Sequence, residues 1–395
     1  MPSLIFRKGL DLKDAVAGEL AAAYHSHIVD AVRAAGYVRS SGRLTIYLAK
    51  EFGFCYGVDR AVDYAYQTRR KFPDKRVFLT GEIIHNPHVN DQLRERGIRL
   101  LTDPGEDAAT LGADDVVILP AFGVSIQELA RLSSTGCTLV DTTCGSVLNV
   151  WKNVKRYAQD GFTSVIHGKV THEETRATAS QATQFPNGHY LIVRDEAEAQ
   201  RVCDYIRHGG DATAFIAFFG EAASPGFDPD LHLQRVGCAN QTTMLMSESL
   251  AIGEMLRAAM RDRHGDADLA ARFRAFDTIC SATQERQDAV VALLDEQALD
   301  LMVVIGGYNS SNTCNLARIC ADRVPTFHIA DPTCLESAAA IRHRPIGAPS
   351  TASVPESVTR VWLPPGQIRV GLTAGASTPN NIVGQVVERL EKLAE

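Results

Sequence analysis

The chain has 395 residues, of which 45% are hydrophobic, and this length and composition predict two or three domains with buried cores. A formal net charge of -7 gives no electrostatic sign of nucleic-acid binding. No apolar run reaches the length of a membrane span, and the first residues lack the hydrophobic stretch of a signal peptide. We therefore expect a soluble, cytoplasmic protein with neither nucleic acid nor membrane as a partner.

Residues 1–43 form the first predicted segment. They combine acidic residues with a helical pattern over positions 14–34. The acidity argues against an organellar transit peptide, and a Ser-Ser-Gly turn at 40–42 separates the segment from the first apolar run. We interpret residues 1–43 as an N-terminal appendage.

Cys55 follows the apolar run 44–49 and lies between Gly53 and Gly57, just before an amphipathic run over 58–68. This pattern predicts a strand, a tight turn and a helix start. Flanking glycines let the backbone approach a large group, and a helix N-terminus favours a thiolate. The arrangement suits a metal ligand or a nucleophile, although a buried structural cysteine fits this single element equally well.

From residue 44 onward, short apolar runs alternate with helical patterns, which is typical of parallel α/β units. Besides the first apolar run, the predicted strands are 77–80, 116–119, 139–141, 164–167, 191–193, 214–219, 301–305 and 369–373.

Three segments of this alternation resemble one another. Each places a cysteine at a strand end just before a helix, and these cysteines are Cys55, Cys144 and Cys280. Roughly thirty residues further on, each segment has an apolar run that ends in a polar loop, containing His85, His172 or Ser310. Loops rich in small and hydroxyl residues follow at 121–125, 240–244 and 373–378.

The repetition predicts an α/β fold of three pseudo-repeated modules with mostly parallel sheets. The boundaries are 1–43 for the appendage, 44–143 for the first module, 144–276 for the second module with an insertion, and 277–395 for the third module and a C-terminal helix. In open parallel sheets, ligands bind outside the carboxyl ends of the strands. Three modules around one axis would therefore bring three thiolates to a common centre.

The nine cysteines are odd in number and dispersed, which argues against a disulfide framework in the cytoplasm. Structural zinc takes four ligands, often in Cys-x-x-Cys pairs that are absent from this sequence. Iron-sulfur clusters normally take four thiolates, so three would leave one iron open to another ligand. Loops rich in serine, threonine, asparagine and histidine suit a phosphorylated small molecule. Two alternatives stay open, an enzyme with Cys55 as nucleophile and His85 as base, and a phosphometabolite-binding protein that carries a cluster without turnover.

Eight motifs in one order carry a specific resemblance over residues 44–385. They are GFCYGVDRAV, GEIIHNPHVN, DTTC, HGKVTHEETRATAS, ANQTTM, DTICSATQERQDAV, GGYNSSNT and GLTAGAST. The sequence resembles the 4-hydroxy-3-methylbut-2-enyl diphosphate reductase family of the non-mevalonate isoprenoid pathway, in its longer plant and cyanobacterial-like branch. The resemblance implies a trefoil of three modules around a 4Fe-4S cluster with an open iron. It also implies reductive removal of a hydroxyl, giving isopentenyl and dimethylallyl diphosphates, with electrons from a ferredoxin- or flavodoxin-type donor.

The resemblance also implies roles for individual residues. Cys55, Cys144 and Cys280 match the cluster ligands, and Glu174 and Thr242 match groups that act at the substrate's hydroxyl. The residues that match the family's substrate-binding groups are His85, His172, Thr242, Ser310, Ser311, Asn312 and Ser377.

Two positions depart from the commoner pattern of the family. Phe122 stands where most bacterial members have a histidine, and Gly145-Ser146 follow Cys144 where a proline is usual. We expect the other residues to hold the diphosphate without a contribution from position 122.

Overall fold

The structure is a computed structural model that describes residues 4–276, 280–349 and 353–395. Its strands are, in chain order, β1 (Ile5–Phe6), β2 (Val38–Ser41), β3 (Leu44–Leu48), β4 (Val77–Leu79), β5 (Ile98–Leu100), β6 (Val116–Leu119), β7 (Thr138–Asp141), β8 (Thr163–His167), β9 (Tyr190–Val193), β10 (Val236–Asn240), β11 (Phe273–Ala275), β12 (Leu301–Ile305), β13 (Thr326–Ile329), β14 (Ala340–His343), β15 (Ser357–Arg360) and β16 (Ile368–Ala374).

The α-helices lie between these strands and cover their faces. They are α1 (Lys13–Tyr24), α2 (His27–Ala34), α3 (Tyr56–Lys71), α4 (Pro87–Glu95), α5 (Ile126–Ser134), α6 (Gly145–Gln159), α7 (Glu173–Ala182), α8 (Glu196–His208), α9 (Ala212–Phe219), α10 (Pro229–His232), α11 (Met246–His264), α12 (Asp266–Arg272), α13 (Ser281–Glu296), α14 (Ser311–Ala321) and α15 (Asn380–Ala394). Short 3₁₀ helices lie at Ala108–Thr110, Gly220–Ala222 and Pro332–Cys334.

The chain divides into two compact units. The one-sheet unit comprises Phe122–Cys137 and Thr143–Cys280 together with Leu4, and the two-sheet unit comprises Ile5–Ala121, Thr138–Thr142 and Ser281–Glu395.

The sheets are mainly parallel. In the one-sheet unit the strand order is β11-β10-β8-β9, with every pair parallel. In the two-sheet unit the orders are β1-β7-β6-β4-β5, again parallel, and β13-β12-β16-β3-β2, in which only the β2–β3 pair is antiparallel. A two-stranded antiparallel ribbon, β14-β15, completes that unit. The predicted α/β class with mostly parallel sheets is confirmed.

Burial explains why the strands appear in the sequence as apolar runs instead of alternating patterns. All four residues of β6 and all five of β12 are buried. A parallel sheet covered by helices on both faces requires apolar side chains in both directions. The strands predicted at 77–80, 116–119, 139–141, 164–167, 191–193, 301–305 and 369–373 all overlap observed strands.

The strand predicted over 214–219 is wrong, because these residues belong to helix α9. The Asp211 carboxylate accepts hydrogen bonds from the backbone N–H groups of Thr213 and Ala214 at 2.9 and 3.0 Å. Phe215 and Phe219, four residues apart, lie on one helix face with ring centroids 4.7 Å apart. A capped helix start and aromatic pairing therefore decide the structure of this short apolar run.

The N-terminal segment contributes strands to both sheets of the two-sheet unit, since β1 pairs with β7 and β2 pairs with β3. Its predicted helical stretch over 14–34 is interrupted at His25, which has an extended backbone. The Ser26 hydroxyl accepts from the backbone N–H of Val29 and begins α2. Residues 1–3 lie outside the described part, and so do 277–279, where the third module is predicted to begin.

None of the helices in the described residues combines the length and apolar character needed to cross a bilayer.

Candidate active site

The loop after β3 holds Cys55 at the N-cap of α3. Gly53 adopts a positive φ of 75°, which explains the glycine at this turn. The backbone N–H of Gly53 donates to the carbonyl of Ala374 at 3.3 Å, and that of Cys55 donates to the carbonyl of Ala376 at 3.2 Å. The Cys55 loop is thus fixed against the loop that follows β16, which contains Ser377.

His85 lies in the loop between β4 and α4 and is buried. Its Nδ1 is 3.0 Å from Oε2 of Glu82, and the side-chain amide of Asn309 donates to the same oxygen at 2.7 Å. A carboxylate only accepts hydrogen bonds, so Nδ1 of His85 carries the proton in this contact. Glu82 and Asn309 together hold the imidazole in one orientation. The sequence analysis missed both residues.

The loop after β12 supplies the predicted serines and asparagine. Ser310 caps α14, and its hydroxyl accepts from the backbone N–H of Thr313 at 3.3 Å. Asn312 is 1% exposed, and its Oδ1 accepts from the backbone N–H of Ala376 at 3.1 Å. Within the described residues, Nδ2 of Asn312 is a buried donor without a hydrogen-bond partner. A buried donor of this kind is expected to meet an acceptor from a ligand or water.

Two further contacts join these loops. The Ser377 hydroxyl donates to the backbone carbonyl of His85 at 3.1 Å. A side chain on Gly307 would collide with that same carbonyl, so glycine lets the Ser310 loop approach His85 closely. The two-sheet unit therefore brings together Cys55 and five predicted substrate-binding residues, namely His85, Ser310, Ser311, Asn312 and Ser377.

The second group of predicted residues lies in the one-sheet unit, where His172 caps α7. Nδ1 of His172 accepts from the backbone N–H of Glu174 at 3.2 Å, which places the ring proton of the neutral form on Nε2. Glu174 is 1% exposed, and its Oε1 accepts from the backbone N–H of Thr242 at 2.5 Å. The structure thus joins both predicted catalytic residues directly.

Gln241 fixes the loop that carries Thr242. Its side-chain oxygen accepts from the Lys169 backbone at 3.2 Å and from the Thr175 hydroxyl at 3.0 Å. Its amide nitrogen donates to Thr243 at 2.8 Å. The loop after β10 is therefore held to the loop that precedes α7 and to the first turn of α7.

Phe122 packs edge-on against His172, with ring centroids 5.8 Å apart and planes inclined by 77°. Gly123 has a positive φ of 74°, and a side chain there would collide with Trp151. Phe122, which departs from the commoner family pattern, therefore makes an apolar contact with His172, a residue predicted to bind the diphosphate.

Cys144 and Cys280 lie in the one-sheet unit and are of intermediate burial, as is Cys55 in the other unit. Cys144 caps α6, with Gly145 and Ser146 as its first residues, and Cys280 immediately precedes α13. The Ser146 hydroxyl donates to the sulfur of Cys280 at 3.4 Å.

Burial raises the pKa of the Cys144 thiol, and the nearby Cys280 raises it further, although backbone N–H groups of α6 act in the opposite direction. Two neighbouring, partly buried thiolates need a cation to offset their charge. A set of sulfur donors at helix N-termini therefore fits an iron-sulfur cluster.

Of the six other cysteines, Cys238 is of intermediate burial and five are buried. Cys137, Cys203, Cys314, Cys320 and Cys334 are buried. Burial also lowers the pKa of His167 to about 4, so this histidine is neutral at pH 7, and its Nδ1 is 2.8 Å from the Ser249 hydroxyl.

The fold and these groups define a class, an α/β protein with mainly parallel sheets that carries cysteine thiols and polar loops beyond the strand ends. The sequence model described as LytB protein matches residues 46–391. The chain belongs to this family, whose curated members are named 4-hydroxy-3-methylbut-2-enyl diphosphate reductase.

The similarity to these relatives extends along nearly the whole chain. The reductase of Gloeobacter violaceus is 50% identical over 395 residues, which cover 98% of this chain and 92% of the relative. A Synechococcus reductase is 49% identical over 392 residues, with 98% and 94% coverage.

Two solved structures are also similar. One is an (E)-4-hydroxy-3-methyl-but-2-enyl diphosphate reductase, the terminal enzyme of the non-mevalonate pathway, with a TM-score of 0.51, 27% identity and coverage of 88% of this chain and 99% of that one. The other is the Plasmodium falciparum E-1-hydroxy-2-methyl-but-2-enyl-4-diphosphate reductase, with a TM-score of 0.61, 21% identity and coverage of 87% and 86%. At that identity, the second likeness supports the fold alone.

Proposed function

We propose that the protein is an oxidoreductase that removes the hydroxyl group of 4-hydroxy-3-methylbut-2-enyl diphosphate, the last step of the non-mevalonate pathway. The carbon–oxygen bond breaks and a carbon–hydrogen bond forms. Two electrons and two protons are consumed, and the hydroxyl leaves as water. The products are isopentenyl and dimethylallyl diphosphates, which differ in the carbon that receives the proton.

The observation that carries this proposal is the hydrogen-bonded set of loops in the two-sheet unit. His85, Ser310, Asn312 and Ser377 belong to three separate loops that hydrogen bonds and a glycine contact join. The buried Nδ2 of Asn312 supplies a donor, and the N-terminus of α14 favours a negative charge. We assign the diphosphate to these groups and to Ser311, and the match to the family's motif assigns it to His172 as well.

Glu174 is the group we assign to proton transfer. Its carboxyl group is buried and is held in place by the backbone of Thr242, whose hydroxyl we assign to a hydrogen bond with the substrate's hydroxyl. A carboxyl group fixed next to a leaving hydroxyl can deliver the proton that converts it to water. Because the backbone N–H of Thr242 fixes the Glu174 carboxyl group, this group needs little reorganisation when the proton is transferred.

We name Cys55, Cys144 and Cys280 as the residues that would hold a 4Fe-4S cluster. When bound, the cluster supplies the electrons and an open, Lewis-acidic iron position. Each of the three thiols lies at the start of a helix, where the helix dipole favours a bound group of negative charge. A ferredoxin- or flavodoxin-type protein is the proposed electron donor, and the cytoplasm is the proposed location.

Anaerobic purification followed by a reductive assay tests the proposal. The purified protein should contain iron and sulfide, and it should oxidise reduced methyl viologen only when the diphosphate substrate is added. A colourless, iron-free protein that converts the substrate would instead indicate a cysteine nucleophile. A protein that carries a cluster and binds the substrate without consuming reductant would be a binding protein.

A further inference from the structure

Arg286 is a buried cation on α13, with only 3% of its surface exposed. Its Nε and Nη2 donate to the backbone carbonyl of Gly53 at 3.2 and 2.7 Å. Its Nη1 donates to the carbonyl of Ala282 at 2.8 Å. The guanidinium thus anchors the Cys55 loop at Gly53, two residues before the cysteine.

Within the described residues, the buried charge of Arg286 lacks a local counterion. Arginine stays protonated in proteins, and a buried charge is strongly unfavourable unless an opposite charge offsets it. Among the described residues, no carboxylate lies within ion-pair distance of Arg286, and the atoms that it contacts belong to neutral carbonyl groups. Arg286 is a permanent cation buried beside the loop of Cys55, a predicted cluster ligand. Its charge therefore requires a nearby anion to offset it.

The proposed cluster would be such a partner, because the sulfides and the coordinating thiolates give it a net negative charge. Adding one electron makes that charge more negative. A nearby cation stabilises the reduced form more than the oxidised form, so it raises the reduction potential.

We propose that Arg286 is a positioning residue with two linked effects: it holds the carbonyl of Gly53 so that Cys55 is presented to the cluster, and its charge raises the cluster's reduction potential. This inference rests on the proposed function, since it requires a cluster bound at Cys55. The electron itself comes from an external one-electron reductant of the dithionite or ferredoxin class.

The test compares Arg286→Gln with Arg286→Lys. Glutamine retains an N–H donor for the carbonyl of Gly53 but removes the charge, whereas lysine retains the charge and changes the shape. Arg389→Gln is the matched control, because Arg389 also donates to backbone carbonyls in the two-sheet unit, those of Leu335 and Glu336. The midpoint potential is measured by anaerobic dithionite titration with electron paramagnetic resonance detection of the reduced cluster, and iron and sulfide are quantified in parallel.

We expect R286Q to shift the midpoint to a more negative potential, while R286K and R389Q stay near the wild-type value. A wild-type midpoint in R286Q with full iron overturns the electrostatic role. If R286Q takes up no iron, the R286K variant decides the question. A wild-type midpoint potential in R286K supports the proposal. A shifted midpoint potential or a loss of iron in R286K overturns it. Absence of a cluster from the wild-type protein would instead refute the proposed function, so the two failures are distinguishable.

Discussion

Replacement of Glu174 with glutamine tests the assigned proton donor. Glutamine matches the size of the buried carboxyl group and keeps an oxygen that can accept from the backbone of Thr242, so the loop should stay in place. The amide cannot donate a proton as a carboxylic acid does. Loss of a general acid typically reduces a rate by about 10² to 10⁴. We expect turnover to fall at least about a hundredfold, equivalent to about 2.7 kcal/mol of activation free energy.

The assay is anaerobic oxidation of reduced methyl viologen as a function of substrate concentration, at matched iron content. KM should stay within a few-fold of the wild-type value, because Glu174 is assigned to proton transfer and not to the diphosphate. Glu196→Gln is the matched control, since this carboxylate also lies in the first turn of a helix, α8, but is exposed, and it should leave the rate unchanged. A normal rate in E174Q would assign the proton to another group. A slow rate that comes with proportional iron loss would show a structural role instead.

Three other predictions concern the remaining groups. Cys144→Ser should lose most of its iron and activity, because a hydroxyl is a poor iron ligand, while Cys320→Ala should keep its iron; full iron in C144S would contradict the ligand assignment. His85→Ala should raise KM roughly 10- to 100-fold through the loss of a charged hydrogen bond, whereas Phe122→Leu should change KM by no more than about threefold since it keeps the apolar contact; equal damage to binding would assign Phe122 a specific role. Glu82→Ala should raise KM by roughly tenfold, because it frees the His85 ring at a cost of about 1.5 kcal/mol; a lower kcat at unchanged KM would refute a role in binding.

Local pattern was sufficient for eight of the sixteen strands in the described part of the chain and for the placement of the cysteines before helices. Buried parallel strands such as β6 and β12 are continuous apolar runs, and the glycines around Cys55 mark a turn between strand and helix. Local sequence pattern did not predict that α9 is a helix. Its aromatic run is too short to show a helical period, and its signals lie outside the run, in Asp211 and in Gly220, which ends the helix.

Sheet order depends on pairings that no local pattern contains. β3, near the start of the chain, pairs with β16, near its end, and the register places Ile46 opposite Val370. The predicted module boundaries at 44, 144 and 277 remain a prediction.

The missed residues are supporting ones. Glu82 lies three positions before His85, and Asn309 lies next to Ser310, so a search for charged and amide groups within the polar loops would have found both. Their shared contact, however, joins loops from two different sheets. Only the folded chain shows that they act together on one imidazole.

The most direct test of the proposed reaction is its electron and product balance. The purified protein, reduced methyl viologen and 4-hydroxy-3-methylbut-2-enyl diphosphate are incubated without oxygen, and the diphosphates are separated and identified by mass spectrometry and NMR. The proposed reaction predicts isopentenyl and dimethylallyl diphosphates, with two electrons consumed for each substrate molecule lost. Recovery of unchanged substrate from a protein that holds its full iron and sulfide, or product formed without oxidation of the viologen, would contradict it.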